Sequence, residues 1–172
     1  MESKAKLAGH PAHPILIVFP LGLLATSVIF DGAYLLNDNP DMIRVSYWMI
    51  TAGLIAGVVA AVPGWIDWLA IPTSTRAKRI GLIHGAGNVV VLLLFGLSWF
   101  LRTDEPGYQP PILALISSGL AFMLAGLTGW LGGELIDRLG VGVDDNAHLN
   151  APSSLSGLPT VKTPISNRPH QA

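Results

Sequence analysis

The chain has no cysteine. Disulfides, thiolate zinc sites, iron–sulfur ligation and cysteine nucleophiles are therefore excluded within it, and any metal site has to use His, Asp, Glu or Asn. Charge is also scarce. Asp, Glu, Lys and Arg make up 12% of the 172 residues, about half the roughly 25% of an ordinary globular domain. The net charge of −1 argues against a nucleic-acid binder, which would need a basic face. A nucleophile elbow, a P-loop and an HExxH pair are all missing, so the balance leans away from a hydrolytic enzyme.

What is present is hydrophobic, 51% of the chain, and it is gathered into four long runs. These cover residues 14–36, 43–71, 80–101 and 112–136. Each reaches the roughly 20 residues needed to cross hydrocarbon. Backbone in lipid must satisfy itself internally, and no barrel-like alternation is seen, so the runs are helices. The expected fold is all-α, an integral membrane four-helix bundle spanning residues 1–140. Residues 141–172, rich in Pro, Ser and Asn, form a disordered cytoplasmic tail. Lys4, Lys6, Arg76, Lys78, Arg79 and Arg138 lie on one side of the spans, and the other two gaps are poorer in base. The positive-inside rule then predicts a multi-pass protein of the cell membrane with both termini cytoplasmic.

The two halves echo each other. Each begins with a histidine, His13 or His84, and ends with Gly-Trp followed by an acid, Asp67 or Glu134. Two tandem hairpins in the same sense suggest a parallel repeat. The alternative is chance, since Gly is frequent in membrane helices and Trp at their interfaces.

The ionisable groups stand at unfavourable helix ends. A helix N-terminus favours acids and a C-terminus favours cations, yet here the histidines start helices and the acids finish them. Each carboxylate is therefore expected to meet a histidine, or a shared cation, from a neighbouring helix. Asn88 lies one turn beyond His84 on the same face. Asp31 is separate, near the far end of the first span, and pairs with Arg44 or Arg102. The glycines at 81, 85, 87, 129, 132 and 133 make room around the cluster. Gly119, Gly126 and Gly133 recur every seven residues, and Gly53 with Gly57 forms a GxxxG; both patterns are expected to serve helix packing.

The stretch "GHPAHPILIVFP" invites a chelating pair, His10 with His13. A residue before proline avoids the helical region, so both are expected to be extended. Residues three apart in such a segment are separated by about 9 Å along the axis. His13 is then expected to face His84 across the bundle, with His10 at the headgroups.

The stretches "HPAHPILIVFPLGLL", "GWIDW", "IHGAGN" and "GWLGGELIDRLGVGV", together with Asp31, resemble the membrane family called domain of unknown function 2231 (DUF2231). The resemblance covers about residues 9–143. It implies a four-helix membrane domain with His13, Asp31, Asp67, His84, Asn88 and Glu134 as its marked polar positions, and no assigned activity. Some relatives are joined to Rieske-type electron-transfer domains, which implies a redox setting.

Three functions compete. In the first, His13 and His84 ligate a b-type haem or a transition metal, with Asn88 in the cofactor site. Asp67 and Glu134 complete the metal's ligand set or orient the imidazoles, and an electron-transfer protein or a second copy of the chain is the partner. The second is proton- or ion-coupled transport, with Asp31 and the histidine cluster as stations. The third is a structural subunit that docks a membrane partner. A structural role, as pairs and interface anchors within the bilayer, stands beside each of these for every residue named.

Overall fold

The computed structural model describes residues 1–158, 160 and 161. Four helices dominate it: α1 (Ala12–Asn37), α2 (Pro40–Ala70), α3 (Arg76–Thr103) and α4 (Ile112–Arg138). The shortest has 26 residues, about 39 Å at 1.5 Å per residue, and so exceeds a hydrocarbon core of about 30 Å. They run up and down as two hairpins, α1 with α2 and α3 with α4, so that α1 and α3 are parallel. The helices follow these runs and extend past most of their ends, except that α2 stops at Ala70 and α4 starts with its run at Ile112.

The ends are capped by local chemistry. Asn39 accepts from Asp41 N with Pro40 at the first helical position, and Thr75 accepts from Lys78 N at 3.1 Å. Lys78 turns back on the end of α2: its Nζ donates to Trp68 O at 2.7 Å and lies 4.0 Å from the centre of the Trp68 ring. Gly81 lets that ring approach, since a Cβ there would stand 2.7 Å from Trp68 Cδ1.

The surface is the reverse of a water-soluble bundle. Ile29, Leu93 and Leu127 are each about two-thirds exposed, while the buried set holds Ser27, Ser46, Ser98, Ser117, Ser118 and Thr128. That distribution fits a solvent of lipid, where apolar groups lose nothing by facing outward and hydroxyls bond within the bundle. Leu24, Ile50, Val91, Phe95 and Ala121 form an apolar central layer with a contribution from every helix. Gly53 meets Leu24 and Gly57 meets Leu92, so the GxxxG of α2 is a packing feature as expected. The stripe at 119, 126 and 133 is not: a Cβ at any of these positions would meet nothing within 4 Å. Seven-residue spacing puts glycines on one face but does not determine which way that face points.

Two departures concern the chain before α1. Lys6–Leu7 and His10–Pro11 pair as a short antiparallel ladder. His10 is extended, but His13 is helical, within the first turn of α1. The penalty on a residue before proline is outweighed there by the anchors described below, and Pro14 falls in a turn whose N–H groups have no intrahelical partner anyway. Residues 141–158 follow α4 as turns and lie against this segment. Gly142 N donates to Met1 O at 2.9 Å and Ser154 Oγ donates to Ala8 O at 3.3 Å. The tail from residue 162 on lies outside the described residues.

At the end of the bundle remote from His13, Arg102 of α3 meets Asp31 of α1. Nη1 donates to Oδ1 at 2.7 Å and Nη2 to Oδ2 at 2.6 Å. Ser46 Oγ of α2 and Ser98 Oγ accept from the same guanidinium, and Arg102 has no exposed surface. Arg44 takes no part in this; it pairs with Asp41 at the surface. Tyr47 stacks on Tyr108 at 3.9 Å beside Trp99, forming an aromatic cluster at this end. Removing one partner leaves a buried charge uncompensated, whereas removing both does not. Asp31→Asn or Arg102→Met alone is expected to cost about 3–5 kcal/mol. The double variant Asp31→Leu/Arg102→Met is expected to regain most of it, as read by thermal unfolding in detergent micelles.

Candidate functional site

The other end of the bundle holds the histidines. Their rings stand edge to face with centroids 6.2 Å apart, one from α1 and one from α3. His13 Nδ1–H donates to Ala60 O of α2 at 2.8 Å, and His84 Nδ1–H donates to Thr128 O of α4, also at 2.8 Å. A carbonyl only accepts, so Nδ1 carries a proton in both rings, and the tautomer this selects has its lone pair on Nε2. Beneath each ring lies a glycine one turn further along the facing helix. A Cβ on Gly64 would be 2.8 Å from His13 Nδ1, and one on Gly132 would be 3.1 Å from His84 Cε1.

These contacts fix the register of the repeat. His13, Ala60 and Gly64 correspond to His84, Thr128 and Gly132. The Gly-Trp echo was therefore misaligned by about one turn: Gly129 faces open space and Trp130 is exposed, and it is Gly132 that matches Gly64. The first and third helices align without gaps. Asp31 and Arg102 are 71 residues apart, as are His13 and His84, and as are the buried Ser27 and Ser98. The ion pair and the imidazole pair are thus the same two positions of the repeat, separated on each helix by five turns.

His84 has a further partner. Asn88 Nδ2 donates to His84 Nε2 at 3.2 Å, and Asn88 Oδ1 accepts from Thr128 Oγ1 at 2.9 Å, which orients the amide. Thr128 therefore serves the site twice, through its carbonyl and its hydroxyl, and Gly87 admits its methyl group. Thr128 was not singled out from sequence; its signal is its place four residues before Gly132, matching Ala60 before Gly64. No described protein group bonds His13 Nε2.

The carboxylates do not join the histidines. Asp67, 9% exposed, accepts from Ser3 Oγ at 2.7 Å, Lys4 N at 2.6 Å and Ala5 N at 3.1 Å. Glu134 accepts from Arg76 Nη2 at 2.7 Å. Both acids are still compensated from outside their own helices, but by a neighbouring segment and an arginine rather than by imidazole. The expected site of two histidines and two carboxylates is not assembled, and no group of three or more His, Asp or Glu among the described residues could hold a metal ion. His10 is also apart, with Nε2 3.2 Å from Ser154 Oγ.

The glycine seats provide a test. Gly64→Ala pushes a methyl into the His13 ring and is expected to cost about 1–3 kcal/mol. Gly85→Ala, whose Cβ meets nothing within 4 Å, is expected to leave the unfolding temperature in detergent unchanged or raised.

No curated protein and no solved structure matches the chain. A family model does, over residues 9–145, which take in all four helices and both paired sites. By that match the chain belongs to the family described as predicted membrane protein DUF2231.

Proposed function

We propose that the chain is a redox-associated membrane protein in which His13 and His84 hold a transition metal, haem iron included. One observation carries this: both imidazoles donate Nδ1–H to a helix carbonyl and so direct their lone pairs through Nε2, the arrangement common to metal-ligating histidines. The spacing agrees. Two imidazoles on opposite sides of one ion, at about 2.0–2.1 Å from metal to nitrogen, have centroids roughly 6 Å apart; here the separation is 6.2 Å.

The donor count narrows the class. With Asp67 and Glu134 committed elsewhere, this chain supplies two imidazoles. That suits the two axial positions of a haem iron better than a bare ion requiring four protein ligands. Asn88 competes with such a ligand, because its amide occupies the His84 lone pair. Arg76, Lys78 and Arg79 begin α3 at this same end, which under the positive-inside rule supports a site near the cytoplasmic face. The apolar layer of Leu24, Ile50, Val91, Phe95 and Ala121 argues against a transport route, as does the neutralisation of Asp31 by Arg102.

Detergent-purified protein is expected to show a Soret band or one transition-metal ion per chain by elemental analysis. His13→Ala and His84→Ala should each lose it. Asn88→Ala should keep it and bind added metal about 5-fold more tightly, the equivalent of one competing hydrogen bond of about 1 kcal/mol. Wild-type protein with neither signal would overturn the proposal.

A further inference from the structure

The lipid-facing side of the α1–α2 hairpin carries a shallow groove near the ion-pair end. It measures about 360 Å³ and is lined by Leu23, Arg44, Val45, Trp48 and Met49. Its walls are apolar, so Arg44 borders it with its hydrocarbon stem. Residues 44, 45, 48 and 49 share one face of α2, and Leu23 joins them from α1, where that helix passes Gly53. From Arg44 to Gly53 is nine residues, about 14 Å along a helix. That is close to half of a hydrocarbon core of about 30 Å. The groove therefore runs from headgroup level toward the middle of the bilayer, the length and direction of one acyl chain in one leaflet. A second hollow on α2, at Leu54, Ile55, Val58 and Val59, is lined by no polar side chain.

The mouth of the first groove holds unused donors. Arg44 Nη1 donates to Asp41 Oδ1 at 3.3 Å, and its Nη2 and Nε meet no described acceptor. The indole N–H of Trp48, one turn deeper, has no described acceptor either, whereas those of Trp68 and Trp99 donate within the protein. Edge contacts with Tyr47 and Tyr108 hold the Trp48 ring in place. The anion available at headgroup depth is a lipid phosphate. Among the described residues Arg44 is the one exposed cation at this end, since Arg102 is buried, while Asp38, Asp41, Asp104 and Glu105 are all exposed. That acidic rim repels a headgroup of net negative charge. A headgroup that also carries an ammonium group can meet Asp41 as its phosphate meets Arg44. We infer that the groove is a binding site for one zwitterionic phospholipid. An acyl chain lies against Leu23 and Met49, the phosphate accepts from Arg44 and Trp48, and the ammonium stands beside Asp41. The site is at the opposite end of the bundle from the histidines and does not depend on them.

Native mass spectrometry of the full chain tests this, with phosphatidylethanolamine or phosphatidylglycerol of the same acyl chains added to the detergent. The wild-type chain is expected to retain one phosphatidylethanolamine in preference to further copies, and to hold phosphatidylglycerol more weakly there. Arg44→Ala should weaken that copy by about 10-fold or more, the loss of hydrogen bonds to a charged group. Trp48→Phe keeps a ring and deletes the N–H, and should weaken it by about 5-fold. Asp41→Asn should bring phosphatidylglycerol level with phosphatidylethanolamine. Val45→Trp fills the groove, leaves the headgroup contacts in place and should also displace the lipid. All four residues are exposed, so these variants leave the core of the bundle intact. Wild-type chain that takes up both lipids equally, or only as a graded series of weak copies, would overturn the site. So would Arg44→Ala or Val45→Trp that retains phosphatidylethanolamine like wild type, or a lipid preference unmoved in Asp41→Asn.

Discussion

One buried ion pair sets the terms for the rest of the bundle. In lipid, apolar side chains gain little by leaving the solvent, so close packing and polar contacts must hold the helices together. The Asp31–Arg102 pair is the strongest such contact here, bidentate and shielded from solvent. It joins α1 to α3, one helix from each hairpin, and draws in Ser46 from α2. The same two parallel helices carry His13 and His84 five turns away. Fixing the register at one end therefore fixes which rings face each other at the other.

The two ends of this frame differ in character. At the ion pair, the repeat places opposite charges at equivalent positions, and they neutralise each other directly. At the histidine end it places identical rings, which neutralise nothing: Nε2 of His84 accepts from Asn88, while that of His13 meets no described protein group. The first is a closed unit of opposite charges; the second is a pair of like rings, each bonded to a carbonyl of a neighbouring helix. That asymmetry, together with the different anchoring of the two histidines, separates the two ends of the bundle more clearly than residue type does.

Much of this was legible beforehand. The four spans follow from hydropathy because lipid leaves the backbone no choice but helix. Arg102 was one of two arginines proposed for Asp31, and the choice between them depended on depth: Arg44 lies in the first turns of α2, where water reaches it. The juxtaposition of His13 with His84 follows from an up-and-down bundle once both start parallel helices. The partners of the acids were not legible. Asp67 is held by amides of a segment with no apolar period, and backbone donors leave no trace in sequence. The repeat register was hidden for a related reason: its matching positions carry Asp against Arg and Ala against Thr, which share a place but not a chemistry. Gly-Trp was conspicuous and misled, because Trp65 and Trp130 face outward and do not mark the helix contact.

The ion pair also acts as a clock. Asp31 emerges from the ribosome 71 residues before Arg102. At synthesis rates of about 5–20 residues per second, it waits about 4–14 s for its partner. During that interval the first hairpin is complete, but its acid lacks the guanidinium that it bonds in the finished bundle. Arrival of α3 ends the wait, before α4 completes the second hairpin. Closure of the bundle is therefore a late, non-local event, and a nascent chain stalled before Arg102 would hold a hairpin that is inserted but unsealed.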